Sequence, residues 1–516
     1  MSKRFKILTI ASIIGILFLG FLSKKFYPGE YFTSDQAYKV KQIRDIVEGQ
    51  LLDFSCLYPG KNLDPDFSFF PAKYPMVHDL NGKCYYVFPF QFSILNIPFY
   101  KIWGQKGIFI GSVFFGFLFL IVWVDLLYKV GLKLTSIFLY SLVLIFGLGL
   151  YFYIYIPSDH IATCLLCLMG FSFLLYDEGS KWLSIFGGLA LGFAVSLRAE
   201  TLLFAFIVFF SMFLLKRRSI DKEKYFLGFL SFSIILILFL ISNAFFLDHI
   251  LGMRGHEFDE KKNELFISRF ERIYTFLLGR ETEGTLIKDT PTFLILILVP
   301  FLLKYLKKEE TQKVISILFI VIFYILIIPF LIKVEPFLQF GERYLLVIYP
   351  LFLLVILLII EKSSISKYFK NALLVLLIVS SIYSCNKSFS LIKKLSNFTK
   401  YSLSNQKDFE NKMNQSEVVV LRSLSLNGIF LNYSNLNKKV FLAVRDEKFL
   451  ELIELLRKNG INTIAVAHIR IRDANIDFVK EKSIDLSKTF VPIKFKFQKE
   501  SADLGNEWIE LRNYQL

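Results

Sequence analysis

The sequence predicts an all-α polytopic membrane domain of about eleven transmembrane helices, followed by a soluble C-terminal α/β domain. Three observations predict it. Apolar blocks of roughly 17–25 residues, the length that crosses a hydrocarbon core, recur through most of the chain. The short loops between them alternate, one set dense in Lys and Arg, the other holding most of the isolated polar residues suited to chemistry. From about residue 386 the pattern changes to short strands typical of a soluble fold.

Composition agrees. The chain is 54% hydrophobic, above the roughly 45–50% of soluble domains. Its 59 Phe and 25 Tyr suit lipid-facing surfaces and interfacial belts. A net charge of +16 in a soluble protein would point first to nucleic acid. Here the excess clusters where cytoplasmic loops fall, at Lys216-Arg217-Arg218, at Lys304, Lys307 and Lys308, and at Lys362, Lys367 and Lys370. No nucleic-acid motif is present, so the expected partner is the lipid bilayer, with no nucleic acid.

Residues 7–22, behind Lys3, Arg4 and Lys6, read as an uncleaved first span with a cytoplasmic N-terminus, a cleaved signal peptide being the alternative. Residues 23–106 form a first outward loop, whose end, Tyr85–Trp103, reads as one or two helices lying in the interface. Further spans fall at 107–128, 134–156, 160–176, 182–197, 200–215, 225–247, 291–306, 313–332, 343–360 and 368–385. The pair at 182–215 could equally be one bent helix. The domains are then 1–385, within the membrane apart from its loops, and 386–516, extracytoplasmic. In the latter, Glu417–Leu421, Val440–Val444, Ile461–Ala467, Val491–Phe497 and Trp508–Leu511 read as strands. Glu447–Lys458 reads as a helix with Phe449, Leu450, Ile453 and Leu456 inward, closed by Gly460. With no glycine-rich phosphate loop, this domain reads as a structural or substrate-orienting appendage.

The polar residues that could carry chemistry gather on the outward side. Ser34-Asp35 opens a helical stretch marked by Tyr38, Ile43 and Val47. Asp35 suits an N-cap and equally a carboxylate that deprotonates an acceptor hydroxyl; the two roles are compatible. Asn81-Gly82 is a turn signal that would present His78 and Lys83 from neighbouring strands, and Lys is a good point charge for a phosphate. His78 with Asp79 lacks the spacing of a metal site. Arg198 and Glu200 interrupt an apolar stretch, either as a structural pair or with the Arg receiving an anionic headgroup. Arg343, after Glu342, is read the same way, and Asp159-His160 either ends a span or serves the site. Cys164 and Cys167 lie within an apolar span with no accompanying ligands, against a metal or redox role. Cys56 and Cys84 share the outward loop, where a disulfide could form in an oxidising compartment.

The order of motifs resembles a family. It runs from Ser34-Asp35 and Tyr38 to the hairpin His78-x-x-Asn81-Gly82-Lys83-x-Tyr85-Tyr86, then the amphipathic Pro89-x-x-Phe92-Ser93-Ile94-Leu95 leading to Pro98-Phe99-Tyr100. The break Gly188-x-Ala190-x-Gly192 with Arg198-x-Glu200 follows, and Gly341-x-Arg343-Tyr344-Leu345-Leu346 to Pro350 closes it. Over about residues 5–385 this is similar to the GT-C superfamily of polytopic glycosyltransferases, near the protein O-mannosyltransferase and aminoarabinose-transferase branch. The resemblance implies a GT-C-like fold and a polyprenyl-phosphate-linked sugar donor. It also implies inverting transfer to a glycan, lipid or protein acceptor at the extracytoplasmic face of a bacterial inner membrane. Asp35 would be the general base, with Lys83, Arg198 and Arg343 as candidates to contact the carrier phosphate and Asp159 as a second outward acid. The family often places two acids around its first-loop Asp, and Glu30 does not meet that pattern cleanly. No resident cofactor or metal site is expected, a divalent metal remaining open. The competing readings are a flippase or polymerase of lipid-linked glycans and a non-catalytic envelope scaffold. The enzyme reading expects Asp35, Lys83, Arg198 and Arg343 around one outward cavity.

Overall fold

A computed structural model of the chain describes residues 34–49, 53–72, 76–156, 158–176, 180–215, 222–253, 285–331, 343–404, 413–423, 438–471, 493–496 and 507–516, with scattered residues before 34 and between 255 and 278. Most of the first apolar run 7–22, the basic run 216–218 and Glu342 lie outside the described residues. The chain divides into two compact units. The first comprises 1–26, 109–251 and 255–392, and the second 27–108, 252–254 and 393–516.

In chain order the principal elements begin with α1 (Ser34–Glu48), the strands β1 (Val77–Leu80) and β2 (Lys83–Tyr86), and α2 (Phe90–Trp103). The apolar helices follow as α3 (Gln105–Lys129), α4 (Leu134–Leu142), α5 (Leu150–Tyr155), α6 (Asp159–Leu175), α7 (Lys181–Leu197), α8 (Thr201–Leu215), α9 (Lys222–Leu247), α10 (Lys308–Leu331), α11 (Tyr349–Lys362) and α12 (Lys367–Ser404). The C-terminal part holds β3 (Val418–Leu421), β4 (Lys439–Leu442), α13 (Asp446–Lys458), β5 (Thr463–Ile471), β6 (Ile493–Lys496) and β7 (Glu507–Gln515).

Among the described residues, five helices are long and apolar enough to cross a membrane, and five further apolar helices run 10–17 residues. The most buried is Arg343–Lys362, a six-residue 3₁₀ turn running into α11, with 94% of its apolar window inside the protein. Lys222–Leu247 has only 22% inside. A helix apolar on every face can sit at the centre of a bundle, and α11 does. Close approach at the periphery uses glycine. A Cβ at Gly188 of α7 would collide with the Gly228 carbonyl of α9, so the two helices meet backbone to backbone.

Several apolar intervals are less regular than their periodicity suggests. The interval 134–156 breaks into α4, a π-turn at Val143–Gly147, and α5, with Gly149 at φ 69° between them. The stretch 182–215 is two helices, because Arg198 at φ −148° ends α7 in extended backbone. The stretch 291–306 is largely 3₁₀, with Pro291 at its start and Pro300 in the following turn.

In the second unit, β1 and β2 form a hairpin pairing His78 with Tyr85 and Leu80 with Lys83. Asn81 and Gly82 both have positive φ, 53° and 70°, as a two-residue turn of this hand requires. A Cys56–Cys84 disulfide ties the preceding loop to β2. Tyr85–Trp103 contains one helix, α2, rather than two. The five-stranded sheet has the order β4-β3-β5-β7-β6. β3 runs parallel to β4 and β5, while β7 is antiparallel to β5 and β6. The run Val418–Leu421 is buried at every position, as suits a central strand covered on both faces. The sheet's helix differs in one position from expectation: α13 buries Phe449, Leu452, Ile453 and Leu456, and Leu450 is 40% exposed. The spacing i, i+3, i+4, i+7 from Phe449 selects Leu452 over Leu450.

Candidate active site

The first unit gathers charged residues that are far apart in sequence. Asp159 and His160 open α6, Arg198 and Glu200 occupy the break between α7 and α8, and Arg343 and Tyr344 begin the 3₁₀ turn before α11. Arg198 is the hub, its side chain only 6% exposed. Its Nε and Nη2 each lie 2.5 Å from Glu200 Oε1. Its Nη1 is 2.9 Å from His160 Nδ1 and 3.5 Å from Asp159 Oδ2. A guanidinium can only donate, so the imidazole nitrogen facing it accepts. Burial works against the charged guanidinium, but Glu200 and Asp159 outweigh it and hold Arg198 above its usual range.

Tyr344 joins the two arginines. The Arg198 guanidinium lies 4.9 Å from the centre of its ring and that of Arg343 5.1 Å, a cation–π contact from each. Arg343 Nη2 also donates to Tyr344 Oη at 3.3 Å. His160 stacks on Tyr153 with ring centres 5.2 Å apart. Thr163 and Thr201 turn their hydroxyls back to the carbonyls of Asp159 and Arg198, closing the two helix starts.

These residues line a small pocket, with a cavity volume of about 10 Å³, whose wall includes His160, Arg198, Glu200, Tyr324, Arg343 and Tyr344. That is room for about one water molecule, far below the ~300–1,000 Å³ of a typical small-molecule pocket. Both neighbouring carboxylates, Glu200 and Asp159, lie against Arg198. Arg198 has its donors directed at Glu200 and His160, whereas Arg343 supplies the second guanidinium of the wall. Tyr324 of α10 is fully buried and its hydroxyl has no hydrogen-bond partner among the described residues. Sequence reading missed Tyr324, because one hydroxyl inside an apolar span carries no periodic signal. It also passed over Tyr344, although Arg343-Tyr344 stood within a quoted motif.

The other expected site residues belong to the second unit. Asp35 sits half-buried in the first turn of α1. His78 is half-buried on β1, and exposed Lys83 opens β2 with its Nζ 3.5 Å from Asp53 Oδ2. A further carboxylate, marked by no local signal, is Asp45, 1% exposed on α1. It accepts from Tyr86 Oη at 2.6 Å and from the Leu57 N–H at 3.1 Å, and it pairs with Lys41. Burial, followed by the Asp45 charge, pushes the Tyr86 phenol well above its ordinary range. Burial likewise lowers the Lys41 ammonium, against the pull of Asp45. Nearby, Gln42 donates to the Phe88 carbonyl at 3.1 Å and accepts from Ser93 at 3.0 Å, so α1 is pinned along its C-terminal half. Among the described residues, no three His, Cys, Asp or Glu side chains converge as metal ligands. Cys164 and Cys167 are both buried thiols.

No protein-family model matches the chain, and no curated protein matches it by sequence. Solved structures do match by fold. ArnT from Cupriavidus metallidurans, bound to undecaprenyl phosphate, superposes with a TM-score of 0.56 over 98% of this chain and 97% of its own, at 9% identity. Its apo form gives 0.59 over the same shares, also at 9% identity. The apo oligosaccharyltransferase of Archaeoglobus fulgidus gives 0.51 over 90% of this chain and 69% of its own, at 10% identity. The chain therefore carries the fold of the GT-C glycosyltransferases.

Proposed function

We propose that this protein is a glycosyltransferase of the bacterial inner membrane. It moves a sugar from a polyprenyl-phosphate donor to a glycan, lipid or protein acceptor at the extracytoplasmic face. The observation that carries the reading is the likeness, over nearly the whole chain, to ArnT, whose structure holds undecaprenyl phosphate. At that pocket the Arg343 guanidinium, with its planar donors, and the buried Tyr324 hydroxyl are groups that a carrier phosphate would pair with. Arg198 is then a positioning residue, its charge already met by Glu200 and Asp159.

In the transfer, Asp35 takes the proton of the acceptor hydroxyl as that oxygen attacks C1 of the sugar. The bond from C1 to the phosphate oxygen breaks on the opposite face, so the anomeric centre inverts and polyprenyl phosphate departs. Cationic donors stabilise the charge that grows on the leaving phosphate. Such a base contributes about 10²–10⁴-fold to rate. No step calls on a divalent metal. Lys83 and His78, on facing strands of the hairpin, are placed in the same unit as Asp35 and are assigned to the donor or acceptor headgroup.

The test compares wild type with Asp35→Asn in membranes at matched expression, given radiolabelled polyprenyl-phosphate sugars and scored for transfer to endogenous acceptors. Transfer that the substitution abolishes supports the reading. Equal transfer by both proteins removes Asp35 from the mechanism, and no transfer by either removes the donor class.

A further inference from the structure

The C-terminal sheet and the first outward loop belong to one compact unit, although more than half of the chain separates them. β4 is an edge strand of the sheet, and its outer side is not left open. The Ala443 N–H turns inward to the Leu421 carbonyl at 2.9 Å, while the Leu442 N–H turns outward and donates to the Phe69 carbonyl at 2.7 Å. The loop 58–70 thus takes the rung that a further strand would take.

Side chains reinforce that rung. Asp64, 3% exposed, accepts from Tyr58 Oη at 2.8 Å and from the N–H groups of Ser68 and Phe69 at 2.9 and 2.8 Å. This folds the loop so that Tyr58 meets Phe67, Phe70 and, edge-on at 6.0 Å, Phe441 of β4. Lys448 of α13 lies over the Phe69 ring at 5.6 Å. Gly60 sits where a Cβ would come within 2.9 Å of the Phe441 ring and 2.7 Å of Tyr58, so the contact admits nothing larger. At its other end the same loop is fastened to the elements that carry Asp35 and Lys83. The Leu57 N–H reaches Asp45 on α1, and Cys56 is bonded to Cys84 of β2 through both its N–H, at 2.7 Å, and its sulfur.

We propose that the C-terminal sheet is a positioning module for the outward loop: through Phe441 and Leu442 it sets the loop 58–70, and through that loop the placement of α1 and the β1–β2 hairpin. The consequence for catalysis rests on the reading of Asp35 and Lys83 given above. Phe441 and Gly60 are positioning residues and touch no reacting atom.

The experiment uses the full chain in lipid nanodiscs, with Phe441→Ala perturbing the sheet side, Gly60→Ala the loop side, and Phe441→Leu as the conservative control. Amide exchange is read over 53–70, 77–86, 418–421 and 463–467, beside transfer from the lipid-linked donor. Both Ala variants are expected to raise exchange in 53–70 and 77–86 by about tenfold and leave 418–421 and 463–467 unchanged. They are expected to lower kcat with the donor KM held, and Phe441→Leu restores both readouts. Exchange changes confined to 439–458, or a loosened loop with unaltered kcat, overturn the proposal. If wild type transfers no lipid-linked sugar, the reading of Asp35 falls instead. Exchange spreading to 77–86 then still supports the bracing, and its confinement still overturns it.

Discussion

The Arg198 cluster makes a ranked prediction. Arg198, Glu200 and Asp159 have side chains 6%, 6% and 1% exposed, so solvent screens them little. Breaking a buried ion pair by removing one partner costs about 3–5 kcal/mol. Arg198→Met leaves two buried carboxylates without their cation and belongs at the upper end, about 5 kcal/mol. Glu200→Leu removes two contacts of 2.5 Å but leaves Asp159 facing the guanidinium, for about 3 kcal/mol. Asp159→Asn weakens the longer contact of 3.5 Å to Arg198, along with the 3.2 Å contact to His160, and costs about 1–3 kcal/mol. The double variant Arg198→Met/Glu200→Leu leaves one stranded carboxylate in place of two, so it should unfold less readily than Arg198→Met alone. Unfolding free energies in mixed detergent micelles, followed by Trp fluorescence, give all four values. A double variant that costs the sum of the singles, or Asp159→Asn ranking first, refutes Arg198 as the hub.

Other predictions follow the same logic. Tyr324→Phe should leave stability nearly unchanged, since its hydroxyl has no partner among the described residues, yet raise the donor KM about tenfold through one lost hydrogen bond; transfer kinetics beside a melting curve separate the two effects. Replacing both Cys56 and Cys84 by Ser should destabilise the second unit by about 3–4 kcal/mol from loop-closure entropy, the bridge spanning 28 positions, as read by the denaturation midpoint against wild type with and without reductant. Asp45→Asn should cost about 1.5–3 kcal/mol for the weakened bond from Tyr86 and accelerate exchange at the Leu57 amide, which donates to the same carboxylate.

Much of the architecture was legible because it follows from hydropathy and turn chemistry. The intervals placed from 107 to 385 fall on helical stretches, 134–156 and 291–306 of them broken or 3₁₀, and the hairpin was visible in Asn81-Gly82, a pair that tolerates positive φ at both positions. The strands from Val418 onward were marked by their β-branched runs. What periodicity could not give was how helices are interrupted. The π-turn at Val143–Gly147 and the 3₁₀ stretch at Pro291–Leu298 depend on neighbours, as when Gly147 meets Ser381. The site was half-legible for the same reason. Isolated charges in apolar sequence pointed to Arg198, Glu200, Asp159 and Arg343, and the fold brings them together. Nothing local distinguished an arginine committed to two carboxylates from one facing a pocket wall. Asp45 was hidden because it lies four residues from Lys41 on a helix, which reads as an ordinary surface pair until Tyr86 and Leu57 close over it.

The two fastenings of the loop 53–70 differ in when they can form. The Cys56–Cys84 bridge joins positions that leave the ribosome within moments of each other. The bond from Leu442 to Phe69 must wait for a strand made after all the described apolar helices have been synthesised. Non-local contacts of this kind form slowly and late. The loop therefore spends most of the protein's biogenesis tied at one end only, its Phe67, Phe69 and Phe70 uncovered until β4 is made. A stalled or truncated chain would present those rings to quality-control proteases, so the sheet's arrival is the step that separates a finished molecule from an unfinished one.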